Sequence, residues 1–138
     1  MSLCITSGPK DIQLSKDVAN IVGNLGHVHF VVPPVPEQDQ SPTDYRTLFE
    51  DLLSDTDGVI LVYGEESALW LQSRHAQVRK VLAQTRRGIW GAWLDGPPPT
   101  KPPLRCPDPA VVTLDCRQGV RPEPIQCFIN KLSGGADA

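Results

Sequence analysis

The sequence predicts an α/β domain built on a parallel β-sheet that is covered by helices on both faces. Residues 57–64 form a continuous run rich in Val and Ile that ends in a glycine, which is typical of a strand buried on both faces. Apolar segments before and after this run alternate with amphipathic stretches of helical period. Strands that alternate with helices at this spacing require parallel pairing through right-handed crossovers.

The elements are predicted in the order β-α-β-α-β-α-β-loop-β-α. The strands are expected at residues 3–6, 27–32, 57–63, 88–94 and 110–114. The first helix, residues 11–25, has an apolar stripe and is closed by Gly26, and Pro33 and Pro34 stop the second strand. The apolar stripe of the first helix consists of Ile12, Val18, Ile21, Val22 and Leu25.

The second helix begins at Ser41 and Pro42, a favourable cap followed by a proline in the first turn. Its predicted buried face consists of Tyr45, Leu48, Phe49 and Leu52. The third helix is predicted over residues 66–83 and the last over residues 122–132. The buried stripe of the third helix is Ala68, Leu71, His75, Val78 and Leu82.

The segment between the fourth and fifth strands cannot be a regular helix. Residues 95–109 hold seven of the 14 prolines in the chain, and proline removes helix hydrogen bonds. A small sheet with this connectivity predicts a three-layer, flavodoxin-like fold with strand order 2-1-3-4-5. A proline-rich loop then replaces the crossover before the last strand.

Length and charge set limits on the domain organisation and on the class of partner. A chain of 138 residues has room for one sizeable core, expected over residues 1–132, followed by a linker-like tail at 133–138. We expect the chain to be a module of a longer polypeptide. The net charge of −3 argues against a dedicated nucleic-acid binder. No apolar run approaches the ~18 residues of a membrane span and no signal peptide is evident, so a cytoplasmic protein with no membrane association is predicted.

One histidine pair has a spacing that can hold a metal ion. His27 and His29 point to the same side of the predicted second strand. No Cys, Asp or Glu lies in a matching local motif, so a structural pair is predicted and no metal site.

Candidate ligand-binding residues follow the first and third strands, because ligands of open α/β sheets bind at the carboxyl ends of the strands. Ser7, Gly8 and Lys10 lie where a phosphate loop would be, although the specific glycine fingerprints are missing. The backbone amides there could hold an anion, and the alternative is a plain tight turn. Gly64 and Trp70 follow the third strand and are predicted to complete this edge.

The only pair of adjacent carboxylates at this edge is Glu65 and Glu66. Glu66 could act as a nucleophile or base toward a ribose, alone or with Asp95 from the end of the fourth strand. The alternative is that both glutamates lie in the first turn of the third helix, where they favour its dipole.

Residues 55–104 resemble the second half of a Toll/interleukin-1 receptor (TIR) domain, and more narrowly the TIR-like modules attached to bacterial signalling and conflict ATPases. The resemblance rests on Asp57-Gly58, Tyr63-Gly64, Trp70, Val78-Arg79-Lys80 and the proline-rich segment 95–104. Before residue 55 it rests on topology alone. TIR domains either assemble as signalling scaffolds or cleave NAD, so NAD is implied as a ligand or substrate.

In the NAD-cleaving members a catalytic Glu lies four residues after the helix Trp, and here that position is Arg74. An arginine cannot accept a proton or stabilise an oxocarbenium cation. The resemblance therefore implies an assembly or recognition module without NAD cleavage, with Arg74 as a ligand-binding residue. The alternatives are an NAD-cleaving enzyme that uses Glu66 and Asp95, and a sensor that binds a nucleotide without cleaving it.

The charge distribution favours head-to-tail self-association. From Glu37 to Glu66 there are nine acidic residues and one basic residue, whereas from Arg74 to Arg105 there are seven basic residues and one acidic residue. Such blocks on one fold favour contacts between identical copies. The predicted interface residues are Glu37 and Asp39 of the loop after the second strand and Arg79 and Lys80 of the third helix. A fused or associated ATPase or sensor domain is the expected partner, and solvated faces balanced within one molecule are the alternative.

Overall fold

A computed structural model of the chain describes residues 1–26, 28–33, 40–84, 88–101 and 105–134. The strands are β1 (Ser2–Thr6), β2 (His29–Val31), β3 (Gly58–Tyr63), β4 (Gly91–Asp95) and β5 (Val111–Asp115). The helices are α1 (Ile12–Asn24), α2 (Pro42–Ser54), α3 (Ala68–Leu82) and α4 (Pro122–Gly134). A short 3-10 turn, Pro9–Asp11, precedes α1.

The five strands form one sheet in the order β2-β1-β3-β4-β5, and every neighbouring pair is parallel. This confirms the predicted flavodoxin-like arrangement. Strand β3 lies at the centre of the sheet, and Val59, Ile60, Leu61 and Val62 are all inaccessible to solvent. The described residues between β4 and β5, 96–101 and 105–110, contain no helix, as the prolines predicted.

Each face of the sheet has its own core. On one face β-strand side chains pack against α1 and α4, whose buried residues are Val18, Ala19, Val22, Ile125, Phe128 and Ile129. On the other face they pack against α2 and α3, whose buried apolar residues are Phe49, Leu53, Leu71, Val78 and Leu82. The result is three layers, helix–sheet–helix. Side chains that alternate along β3 contribute to opposite cores, which explains its uninterrupted apolar sequence.

Two local predictions are wrong. In α2, Leu48 is 39% exposed and Leu53 is fully buried, so the helix is rotated relative to the predicted face. Helix α3 begins at Ala68 and not at residue 66, because the Ser67 hydroxyl accepts the Trp70 backbone N–H at 3.1 Å and caps the helix. Glu65 and Glu66 therefore lie in the loop before the helix and not in its first turn.

Helix α4 continues to Gly134, two residues beyond the predicted end of the domain at residue 132. Residues 135–138 of the predicted tail lie outside the described residues. Among the helices of the described ranges, none combines the length and apolar character needed to cross a bilayer.

Candidate functional site

Two loops meet at the carboxyl edge of the sheet, and the buried carboxylate of Asp11 joins them. Asp11 follows β1 and is 3% exposed. Its oxygens accept three consecutive backbone N–H groups from the loop after β3, those of Gly64 at 3.1 Å, Glu65 at 2.7 Å and Glu66 at 3.2 Å. The bonds to an ionised carboxylate are of the stronger class and hold the two loops in one arrangement.

Glu66 makes the reverse connection. Its Oε1 accepts the backbone N–H of Lys10 at 3.2 Å. A Cβ on Gly8 would lie 2.6 Å from Cγ of Glu66, so the absence of a side chain at position 8 lets this carboxylate approach the loop. A Cβ on Gly64 would likewise overlap the Asp11 carboxylate. The predicted anion-binding turn at Ser7, Gly8 and Lys10 thus receives a carboxylate of the protein itself.

A cleft of about 300 Å³ lies beside these loops. Its walls come from the end of β1, from α1, from the end of β2, from α2 and from the first turns of α3. The lining residues are Thr6, Ser7, Pro9, Ile12, Ser15, Lys16, Val32, Pro33, Tyr45, Trp70 and Arg74. This volume is at the lower end of small-molecule sites. The cleft lies where an open α/β sheet of this strand order binds ligands.

Arg74 is the charged residue in the α3 wall of the cleft. Its guanidinium carbon lies 4.5 Å from the ring centroid of Phe49, 5.4 Å from that of Trp70 and 6.0 Å from that of Tyr45. These distances allow cation–π attraction. Its Nη1 is buried and donates no hydrogen bond to a described residue. The side chain therefore has an unused donor and a positive charge that is not neutralised by an ion pair within the described residues.

Asp95, at the end of β4, lies between two cations. Lys101 Nζ is 2.9 Å from Asp95 Oδ1 and Arg117 Nε is 3.1 Å from Oδ2. Both are ion-pair distances, but Asp95 Oδ1 and Arg117 Nε form no hydrogen bond of good geometry. Lys101 Nζ donates instead to the Tyr63 carbonyl at 2.7 Å, and Arg117 Nη2 donates to the Lys101 carbonyl at 2.7 Å.

This cluster also affects Tyr63, whose ring centroid is 4.0 Å from Lys101 Nζ. Burial raises the pKa of the Tyr63 hydroxyl, and the negative charge of Asp95 raises it further. Through Lys101, these contacts connect the proline-rich segment to Tyr63 at the end of β3 and to Asp95 at the end of β4.

His75 links α3 to β4 and to the segment before β5. Trp93 Nε1 donates to His75 Nδ1 at 2.9 Å, so His75 Nε2 carries the proton and faces Asp108 Oδ2 at 3.2 Å. The His75 ring also lies 5.6 Å from Trp90, centroid to centroid. Both ring nitrogens are engaged, which makes His75 a structural residue, in agreement with its place in the predicted buried stripe.

The predicted interface residues of α3 are exposed. Arg79 has 66% of its side chain exposed and lies 3.8 Å from Asp108, and Lys80 is exposed on the same helix. Their predicted partners, Glu37 and Asp39, lie outside the described residues, as does His27. His29 is exposed on β2. In the part of the chain that is described, no group of three or more His, Cys, Asp or Glu side chains could hold a metal ion.

The structure divides the predicted ligand-binding residues into two groups. Ser7, Trp70 and Arg74 line the cleft. Gly8, Lys10 and Gly64 belong to the hydrogen-bonded loops beside it. The predicted catalytic residues are separate, since Glu66 contacts the first loop and Asp95 contacts Lys101 and Arg117.

Sequence reasoning missed four residues that take part in these contacts, three at the carboxyl edge and Asp108 before β5. Asp11 and Lys16 resemble ordinary polar residues of a helix start and an exposed helix face, and Lys101 and Asp108 lie in a proline-rich segment without periodicity. The only sequence signal for Asp11 was its place as an acidic residue next to the turn after β1, and this signal does not show that the residue is buried. The residues it binds are 53 to 55 positions away.

Comparison with protein-family models, with curated proteins and with solved structures finds no match to this chain.

Proposed function

We propose that this chain is a TIR-like recognition module that binds a small anionic molecule in the cleft and does not cleave NAD. The observation that carries the proposal is Arg74, which places a guanidinium in the cleft wall whose Nη1 donates to no described residue. A guanidinium stays protonated and pairs with carboxylate or phosphate groups. It cannot serve as a base or nucleophile, which cleavage of a glycosidic bond to nicotinamide would need.

The two candidate catalytic carboxylates support the same proposal, because both are engaged by the protein. Glu66 accepts a backbone N–H, and Asp95 lies at ion-pair distance from two cations. Neither belongs to the cleft lining. An enzyme that uses Glu66 and Asp95 would therefore need a substrate site other than this cleft.

Anion recognition in the cleft can draw on Lys16 and the Ser7 hydroxyl in addition to Arg74. The Trp70 side chain offers an apolar surface beside them, so a ligand with a planar ring and an acidic group matches the lining. A nucleoside monophosphate has this chemistry. NAD remains a candidate ligand that is held intact.

The binding test is calorimetric titration with a nucleoside monophosphate and with NAD. We expect Arg74→Gln to weaken binding by about tenfold to a hundredfold, as expected for the loss of a hydrogen bond to a charged group. Lys131→Gln removes an exposed cation from α4 and should leave binding unchanged. Absence of binding to the native protein, or equal loss in both variants, would contradict anion recognition at the cleft.

The catalytic test is incubation of concentrated protein with NAD for hours, followed by chromatography for nicotinamide. We expect NAD to remain intact. Nicotinamide release that disappears in Glu66→Ala would support the enzyme alternative. Release that persists in Glu66→Ala would mean that a different site is catalytic.

The module is also proposed to assemble head to tail when many copies are tethered on an associated ATPase. Arg79 and Lys80 are exposed and suited to an acidic surface, and exposed charge pairs contribute only about 0–1 kcal/mol each. Association is therefore expected to be weak, salt-sensitive and dependent on effective concentration. Crosslinking of a tethered form should decrease as the salt concentration rises. It should also decrease in the double variant Arg79→Glu, Lys80→Glu. Adding the compensating changes Glu37→Lys and Asp39→Lys to that variant should partly restore crosslinking. Assembly that is insensitive to salt and to these changes would contradict the proposed head-to-tail contacts.

A further inference from the structure

A second and larger cavity lies between α2 and α3. This outer groove, defined by Tyr45, Arg46 and Glu50 of α2 and by Arg74, Gln77 and Lys80 of α3, encloses about 670 Å³. Its lining positions recur at intervals of three or four residues along each helix, so each helix turns one face toward the groove. Tyr45 and Arg74 form the partition between the outer groove and the cleft, since both line the two cavities.

The outer groove is mainly cationic, whereas the other exposed charged residues of α2 are acidic. Arg46, Arg74 and Lys80 line it together with a single carboxylate, that of Glu50. The ion pairs among the described residues use other cations, so none of these three is neutralised by an ion pair within the described ranges. Elsewhere α2 exposes the acidic residues Asp44 and Asp51. A cationic concavity in a chain of net charge −3 focuses anions at this place.

Glu50 gives the outer groove a second property. Its Oε1 is buried and accepts no hydrogen bond within the described residues. An acceptor left in this state is costly, and such groups in folded proteins are normally satisfied by a ligand, an ion or a water molecule. Because Glu50 lines the outer groove, its carboxylate is placed to accept a hydrogen bond from the hydroxyl of a ligand there.

We propose that the outer groove binds a small phosphate ester that carries a free hydroxyl group, such as a glycerol or sugar phosphate. The phosphate pairs with Arg46 and Lys80, and the hydroxyl donates to Glu50. The Glu50 carboxylate also repels a second anionic group, so a monophosphate is preferred over an ester with two phosphates. This site is distinct from the cleft and needs neither cleavage nor recognition of NAD.

The test is calorimetric titration of the whole chain with glycerol 3-phosphate and, separately, with inorganic phosphate at low salt. We expect saturable binding of the ester that weakens about tenfold or more in Arg46→Gln and in Lys80→Gln, because each loses a charged hydrogen bond. Glu50→Gln should reduce the preference for the ester over inorganic phosphate. Arg46 and Lys80 are exposed, so their substitution leaves the core intact.

Lys16→Gln separates this proposal from the one for the cleft, because Lys16 lines only the cleft among these two cavities. It should weaken nucleotide binding and leave glycerol 3-phosphate binding unchanged. Loss of glycerol 3-phosphate binding in Lys16→Gln, with none in Arg46→Gln or Lys80→Gln, would overturn the proposal. So would the absence of saturable binding up to about 10 mM ester, a range that corresponds to negligible affinity. Groove-dependent binding of an acidic peptide without any binding of the ester would also overturn it.

Discussion

The Oδ1 atom of Asp11 accepts the backbone N–H of Glu65 at 2.7 Å, across 54 positions of the chain. The neighbouring N–H groups of Gly64 and Glu66 bond to the same carboxylate, and Glu66 in turn accepts the N–H of Lys10. The loops after β1 and β3 are thereby joined by reciprocal bonds. Hydrogen bonds therefore hold the margin of the cleft beside them, and Glu66, one of the two predicted catalytic carboxylates, has a structural partner.

Replacing Asp11 by alanine should destabilise the fold by about 2–4 kcal/mol, because buried backbone donors lose a charged acceptor. Asp11→Asn keeps one acceptor oxygen and should cost roughly half as much. Urea unfolding measures both changes. Asp17→Ala is the matched control on the exposed face of α1 and should stay within about 0.5 kcal/mol of the native protein. An Asp11→Ala variant as stable as this control would show that the loops do not depend on the carboxylate.

Gly8→Ala should destabilise the fold by about 1–3 kcal/mol, because the new methyl group would overlap the Glu66 side chain. Glu66→Ala removes the obstacle, so the double variant should be more stable than the sum of the single effects predicts, by about 0.5–3 kcal/mol. A urea double-mutant cycle measures this coupling. Strict additivity would mean that Gly8 and Glu66 do not constrain each other.

His75→Phe keeps an aromatic ring in the core but removes the acceptor for Trp93 and the donor for Asp108. We expect a loss of about 2–4 kcal/mol, chiefly from the buried polar groups left without partners. Adding Trp93→Phe removes the indole N–H that no longer has an acceptor, and should restore part of the lost stability. His29→Gln changes an exposed histidine of β2 and should have little effect. Urea unfolding measures the stability of these variants. If adding Trp93→Phe lowers the stability further, the lost hydrogen bond between Trp93 and His75 is not the cause of the first decrease.

Stability should fall in alkaline solution because of Cys4. Burial raises the pKa of its thiol from 9.0 to about 12, although the nearby Arg74 charge opposes this effect. The folded state therefore retains a proton that the unfolded state loses, so this contribution is complete below pH 9 and disappears between pH 9 and about pH 12. The slope approaches about 1.4 kcal/mol per pH unit for one such group.

Urea unfolding of Cys4→Ala at several alkaline pH values tests this effect. Cys4→Ala should show a shallower fall of stability with pH than the native protein, whereas Cys127→Ala, at an exposed position, should keep the native slope. Burial also raises the pKa values of Cys106 and Cys116, so part of the slope remains in Cys4→Ala. Identical slopes in all three proteins would rule out Cys4 as a source.

The fold could be predicted because its signals are local in the sequence. The apolar run of β3, the serine cap of α2 and the prolines before β5 each act through residues a few positions apart. Trp70 and Arg74 are four residues apart on α3 and so share one face of the helix, and both side chains line the cleft. The sequence predicted Leu48 to be buried, but Leu53 is the buried residue of α2. This difference was not predictable, because the rotation of α2 about its axis depends on the sheet that it packs against.

The chain by itself determined the strands, the amphipathic helices and the parallel order, because hydrophobic period and crossover handedness suffice for these. Only the tertiary structure decided the state of the acidic residues. Asp11 and Glu66 bond to amides more than 50 positions away, and Asp108 meets His75 across 33 positions. These contacts exist only after the crossovers bring the loops together. No local pattern could therefore show that Glu66 has a structural partner, or that Arg74 Nη1 has none among the described residues.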